Sequence, residues 1–205
     1  MAVKPVAKRS YRLAARADAT DARRRKILET AYEAFGLRRY EDVTLAEVAA
    51  RAGTSERTVY RLFHTKEHLL SAWLTEIGSG VGPPPDPSLR NDTKAFVRVM
   101  IAFYEERGAS ILNMLAQEDA VPALRPLMEW GRNLYDEGIE RGLGHLLRGF
   151  RGAARQRRRM QLVIACDVYT WKLLRHGRGL TQGETERVIE DMLNILEKSA
   201  PPPTP

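Results

Sequence analysis

Apolar residues recur at intervals of three and four along almost the whole chain, and no stretch alternates as a half-buried strand would, so the pattern predicts an all-α protein. A first helix is expected from about Asp21 to Phe35, with Ile27, Leu28, Ala31, Ala34 and Phe35 on one face and Gly36 to stop it. Thr44 and Glu47 form a capping-box pattern that opens a short helix ending before Gly53. Another helix is expected from about Ser55 to Phe63, and a fourth from Thr65 to about Ile77. The glycines and prolines between Gly78 and Pro87 end this first domain. Longer helices are then expected over about Asp92–Arg107, Ala109–Glu118, Pro122–Leu147, Arg155–Arg175 and Thr181–Lys198, the last opened by a second capping box, Thr181 with Glu184. The division expected is a disordered basic arm over 1–20, a first domain over 21–78, a linker over 79–90, a second helical domain over 91–199 and a disordered proline-rich tail over 200–205.

Composition changes this picture in one respect. The 205 residues are 43% apolar, enough for a core, and the net charge is +7. That charge is uneven: residues 1–70 hold fifteen Lys/Arg against nine Asp/Glu, hence +6, and the rest hold eighteen against seventeen, hence +1. A cationic excess confined to one segment is the mark of a polyanion-binding module. One cysteine, Cys166, rules out an internal disulfide and a cysteine-rich zinc site. Of the four histidines only His64 and His68 have i, i+4 spacing, and no acidic residue stands between them where a zinc hydrolase helix has its glutamate; they read as surface histidines, and no metal or cofactor is expected. No apolar run approaches the ~18 residues of a membrane span, and no secretory core follows Met1, so a cytoplasmic protein without membrane contact is expected.

The segment from Leu45 to Phe63 carries the chemistry. Two helices that cross through a tight turn need a small residue at the crossing, a residue that tolerates positive φ in the turn, and apolar residues that pin both to a third helix. Ala49 meets the first need, Gly53 the second, and Val48, Ala52, Val59 and Leu62 the third. The second helix then turns Ser55, Arg57, Thr58 and Arg61 outward, with Tyr60 beside them. Arginine makes bidentate bonds to guanine edges, and hydroxyls bond bases or phosphates, so this face suits the major groove of double-stranded DNA.

Tyr60-Arg61-Leu62-Phe63-His64-Thr65-Lys66-Glu67-His68-Leu69-Leu70 resembles the signature that closes the DNA-binding domain of the TetR family of transcriptional regulators. The likeness extends upstream through Val43-Thr44-Leu45-Ala46-Glu47-Val48-Ala49 to Ile27, Leu28, Ala31 and Phe35, and covers about Arg23 to Trp73. The resemblance implies an amino-terminal three-helix DNA-binding domain with a helix-turn-helix, followed by a carboxy-terminal helical ligand-binding and dimerisation bundle. It implies that Thr44 bonds a phosphate, that Ser55, Arg57, Thr58 and Arg61 face the groove, that Tyr60 packs on the sugar-phosphate backbone and that Lys66 clamps a phosphate at a helix start. Thr54, Arg39 and Glu56 depart from the family pattern and leave base preference open.

The same resemblance implies a homodimer through the last two helices and a palindromic operator. It also implies a small-molecule effector between the middle helices, with Met100, Phe103, Tyr104, Met114, Met128, Trp130, Tyr135 and Tyr169 as candidate walls; core packing is the plainer use of such residues. The basic run Arg151, Arg155, Arg157, Arg158 and Arg159 reads as a solvated face. No nucleophile motif, phosphate-cradling glycine loop or paired carboxylates point to an enzyme. The function expected is a repressor released from its operator by an effector; the alternative is a dimer of this type that activates, or that takes no ligand.

Overall fold

The computed structural model of the chain describes residues 6–76 and 90–199, with residues 6–18 as backbone only. Of the expected linker only Arg90 is therefore described, and Met1–Pro5, Ile77 and the expected tail lie outside the described residues. Every regular element among the described residues is helical, as the three-four spacing requires. The chain divides into two units, residues 1–79 and 80–205.

The amino-terminal unit holds α1 (Val6–Leu37), a 3-10 turn (Tyr40–Asp42), α2 (Leu45–Arg51), α3 (Glu56–Phe63) and α4 (Lys66–Glu76). The expected arm over 1–20 is corrected from Val6 onward, because α1 begins there and not near Asp21. The absence of an apolar stripe was a poor guide. Between Val6 and Phe35 there is no glycine or proline, and the segment is rich in Ala, Arg and Leu, so propensity alone carries the helix outward.

Ile27, Leu28, Ala31 and Phe35 of α1 meet Val48 and Ala49 of α2, Val59 and Phe63 of α3 and Leu69, Leu70 and Trp73 of α4 in one buried core. The Tyr32 ring stacks on Trp73 with centroids 4.0 Å apart. Arg24 binds Glu76 through two hydrogen bonds of 2.8 and 2.5 Å, and its guanidinium lies 4.6 Å from the centre of the Phe63 ring. One side chain of α1 thus fastens α3 and α4 together, by a charge pair and by cation–π attraction.

The carboxy-terminal unit holds α5 (Thr93–Leu115), α6 (Arg125–Leu143) between 3-10 turns at Pro122–Leu124 and Gly144–Leu147, α7 (Gly152–Cys166), α8 (Val168–Lys172), a π turn (Leu173–Gly177) and α9 (Gln182–Lys198). The helix expected over Pro122–Leu147 is α-helical only from Arg125 to Leu143, and two further helix boundaries differ from expectation. α5 runs unbroken through Gly108, because that glycine is there for closeness: a Cβ on it would stand 2.4 Å from the Trp171 ring. The helix expected over Arg155–Arg175 instead breaks at Asp167, whose extended backbone ends α7 and whose carboxylate accepts from the Tyr169 N–H to start α8. At α9 both halves of the predicted capping box form.

Candidate nucleic-acid interface

The helix pair is built largely from local signals. Thr44 caps α2 by accepting from the Glu47 N–H at 3.1 Å. Glu47 does not return the bond, since its carboxylate pairs with Arg38. Gly53 takes φ 70° in the turn, and a Cβ there would meet nothing within 4 Å, so its role is conformational and not steric. Ala49 and Ala52 are buried at the crossing, and Val59 points inward from α3. Phe63, at 2% exposure, takes the innermost place that the spacing assigned to Leu62, which is only partly buried.

Ser55 caps α3, accepting from the Thr58 N–H at 3.3 Å, and its Oγ lies 2.9 Å from the Thr58 hydroxyl. The exposed face of α3 then presents Arg57, Tyr60 and Arg61, with Ser55 at its start and Thr58 half-buried beside it. Thr44 is exposed at the start of α2. Arg24, Arg25, Arg38, Arg39 and Arg51 of this unit each pair with a carboxylate: Glu76, Glu29, Glu47, Glu41 and Glu33. Arg57 and Arg61 pair with none among the described residues. Their charge is left unneutralised on the face that two caps hold rigid.

Lys66 sits differently from the free phosphate clamp expected of it. Its ammonium donates to the carbonyls of Tyr40 and Glu41 at 2.8 and 3.3 Å and lies 4.5 Å from the centre of the Tyr40 ring. The Tyr40 hydroxyl in turn donates to Glu67 at 2.9 Å. Burial, then the Glu67 carboxylate, pushes the Tyr40 phenol well above its ordinary range. Glu67 is held below the usual carboxylate range by its own N–H in the first turn of α4, then by the Thr65 and Tyr40 hydroxyls. These residues fix the start of α4 against the 40–42 turn. Sequence reading missed the role of Tyr40 because its partners stand 26 and 27 residues away.

In the second unit, Met100 and Tyr104 belong to the main core, with Phe103 and Tyr135 packed against it. Met114 and Met128 are buried and Trp130 is partly buried. The Tyr104 hydroxyl donates to the Cys166 carbonyl at 3.1 Å and that of Tyr135 to the Val163 carbonyl at 2.7 Å. Both phenols therefore satisfy carbonyls of the last turn of α7, which have no partner within their helix. Burial pushes the Cys166 thiol up to about 12, leaving it inert. Tyr169 departs from expectation: it is 55% exposed, whereas Trp171, beyond the same break at Asp167, is buried.

The basic run is corrected as well. Arg155 pairs with Glu140, Arg159 pairs with Asp136 and Glu140, and Arg158 is buried, its guanidinium 4.4 Å from the Phe150 ring centre and donating to the Ser199 carbonyl at the end of α9. Only Arg151, Arg155 and Arg157 keep exposed side chains. Met160 and Ile164 of α7, Tyr169 of α8, Leu173 after it, and Met192 and Ile195 of α9 are exposed apolar side chains.

An all-helical chain with a capped helix pair presenting unpaired arginines defines a helix-turn-helix DNA-binding fold. Residues 27–73, within the amino-terminal unit, match the family model for bacterial regulatory proteins of the tetR family. No curated protein matches the sequence. Among solved structures, one described as a TetR-family transcriptional regulator from Rhodococcus sp. is 18% identical with a TM-score of 0.63, covering 86% of this chain and 100% of that one. One from Mesorhizobium loti, described likewise, is 21% identical with a TM-score of 0.60, covering 86% and 95%. A transcriptional regulator from Saccharomonospora viridis, solved in complex with choline, is 20% identical with a TM-score of 0.63, covering 85% and 96%. At these identities the solved structures share the fold.

Proposed function

We propose that the protein is a homodimeric, sequence-specific repressor that binds a palindromic operator and is released from it by a small-molecule effector. The observation that carries the reading is the exposed α3 face, where Arg57 and Arg61 stand unpaired while five other arginines of the unit are neutralised. Arg57, Arg61, Ser55 and Thr58 read base edges; Thr44 and Tyr60 hold the sugar-phosphate backbone. Lys66 has two carbonyl partners, and an ammonium has three protons, so one is free for a phosphate at the start of α4.

Dimerisation is supported by the apolar side chains left exposed on α7 and α9, above all Ile164 and Ile195 at 64% and 67% exposure. Side chains of that kind are what a helix-pair interface between two copies would bury. Effector control rests on the fold and on the choline complex of the Saccharomonospora viridis relative. Of the candidate walls, Phe103, Trp130 and Tyr135 retain partial exposure and are the positions for a ligand to meet. Such a ligand must bind the free protein more tightly than the DNA-bound protein, or it changes nothing.

Selection of bound sequences from a random duplex pool tests the reading. Recovery of two inverted half-sites supports a dimeric reader. Recovery of no consensus, with binding that follows net charge alone, removes the specific function.

A further inference from the structure

α3 and α4 are joined with almost no linker. The His64 N–H closes α3 on the Tyr60 carbonyl at 2.8 Å, and the next residue, Thr65, donates its N–H to the Phe63 carbonyl at 2.7 Å. His64 is therefore the centre of a γ-turn with φ 62° and ψ −48°, the strained positive-φ form. Glycine takes positive φ without steric cost, yet an exposed histidine stands here. The turn sets the His64 ring 5.8 Å from the Tyr60 ring and edge-on to His68, 6.5 Å away between centroids. Both histidines are exposed, and Thr65 caps the His68 N–H at 3.2 Å, which fixes the first turn of α4 beneath them.

We propose that His64 and His68 form a second phosphate-contacting edge beside the reading face, so that operator binding takes up protons. The proposal rests on the assignment of α3 as the DNA-reading helix. Tyr60, the residue assigned to the sugar-phosphate backbone, is the ring against which His64 lies. The ionisable groups around the pair are Tyr60 and Arg61 on α3, Lys66 and Glu67 on α4, and Arg24 of α1, which lies over Phe63 and holds Glu76. Glu67 is engaged by the Tyr40 hydroxyl and Lys66 by the carbonyls of Tyr40 and Glu41. One turn beyond His68 stand Ser71 and Ala72, which carry no charge. Neither imidazole has a carboxylate partner among the described residues.

A phosphate oxygen would supply the missing anion to both rings. Imidazole changes charge near neutral pH, and a charge-assisted bond to phosphate exists only for the protonated ring. DNA binding therefore favours protonation, and affinity rises as pH falls.

The test is fluorescence anisotropy with the full chain and the duplex recovered by selection, at about pH 6 and about pH 8. The wild type is expected to bind about tenfold more tightly at the lower pH, which over that range is a net uptake of about half a proton on binding. The double variant H64Q/H68Q should match the wild type at the higher pH and gain nothing at the lower. His64→Gly should lose part of the pH response while melting no lower than the wild type, because glycine relieves the turn. A wild type with pH-independent affinity, or a double variant that keeps the full response, overturns the proposal and leaves the DNA reading intact. Absence of binding at either pH overturns both.

Discussion

The two units of this chain expose different chemistry. The amino-terminal unit buries its aromatic residues other than Tyr60 among those whose side chains are described, pairs five of its arginines with carboxylates, and leaves Arg57 and Arg61 unpaired together on one short helix, with Arg23 unpaired on α1. The carboxy-terminal unit differs in its apolar surface: Ile164, Leu173 and Ile195 stand exposed on its last helices, while its own arginines unpaired among the described residues, such as Arg98, Arg125 and Arg187, are spread over separate helices. A polyanion is met by unneutralised cations, and another copy of the same protein by apolar side chains. The difference is the ground on which the proposed function gives each unit its own class of partner.

The comparison is sharpened most by changes that should act on one unit alone. Trp73→Ala removes the ring on which Tyr32 stacks and leaves a large cavity, with an expected loss of about 3–5 kcal/mol. Chemical denaturation should show the amino-terminal unit unfolding early, and a single unshifted transition would contradict the core described for it. Gly108→Ala acts in the other unit, forcing a methyl group into the Trp171 ring at a cost of about 1–3 kcal/mol. DNA affinity per folded molecule should stay unchanged; a fall in the melting temperature of the amino-terminal unit would break the separation.

Smaller effects come from the caps and from pH. Ser55→Ala removes the cap of α3 and should cost about 1 kcal/mol. It should also weaken DNA binding, whereas removal of the α9 cap by Thr181→Ala should leave binding alone. The smallest effect concerns Glu76. Its carboxyl is held below the ordinary value of 4.5 by the hydrogen bond to Arg24. A depressed value in the folded state means stability that is present above about pH 4.5 and is lost as pH falls through the lowered value. Because the pair is partly exposed, solvent screening limits this to under about 1 kcal/mol. Acid titration of Glu76→Gln against the wild type should show the two curves converge at low pH.

The helix-turn-helix was legible because its determinants are local. Thr44 and Ser55 cap at three-residue range, and Gly53 and Ala49 act within one turn of where they stand. The carboxy-terminal unit was less legible for the opposite reason. Gly108 read as a helix end, but its meaning lies 63 residues later in Trp171. Asp167 restarts a helix inside what reads as one apolar stripe, and Tyr169 was therefore placed on the wrong side. Arg158 looked solvated in a run of arginines, and only the packing of Phe150 and the end of α9 buries it. At the candidate site, Arg57 and Arg61 were readable as outward-facing. That five other arginines of the unit find carboxylates was not, since Arg24 reaches Glu76 across 52 residues.

The central claim is that α3 reads DNA and that exposed charge elsewhere does not. The direct measurement is the affinity of Arg61→Ala and Arg157→Ala for the selected duplex, titrated over a range of salt. Both side chains are exposed, and each change removes one positive charge. Loss of a bidentate base contact costs ~1–3 kcal/mol, so Arg61→Ala should bind roughly tenfold or more weakly at every salt concentration. Arg157→Ala should bind as the wild type does. Equal losses for the two variants, vanishing together as salt rises, would contradict the assignment of α3 as the reading helix.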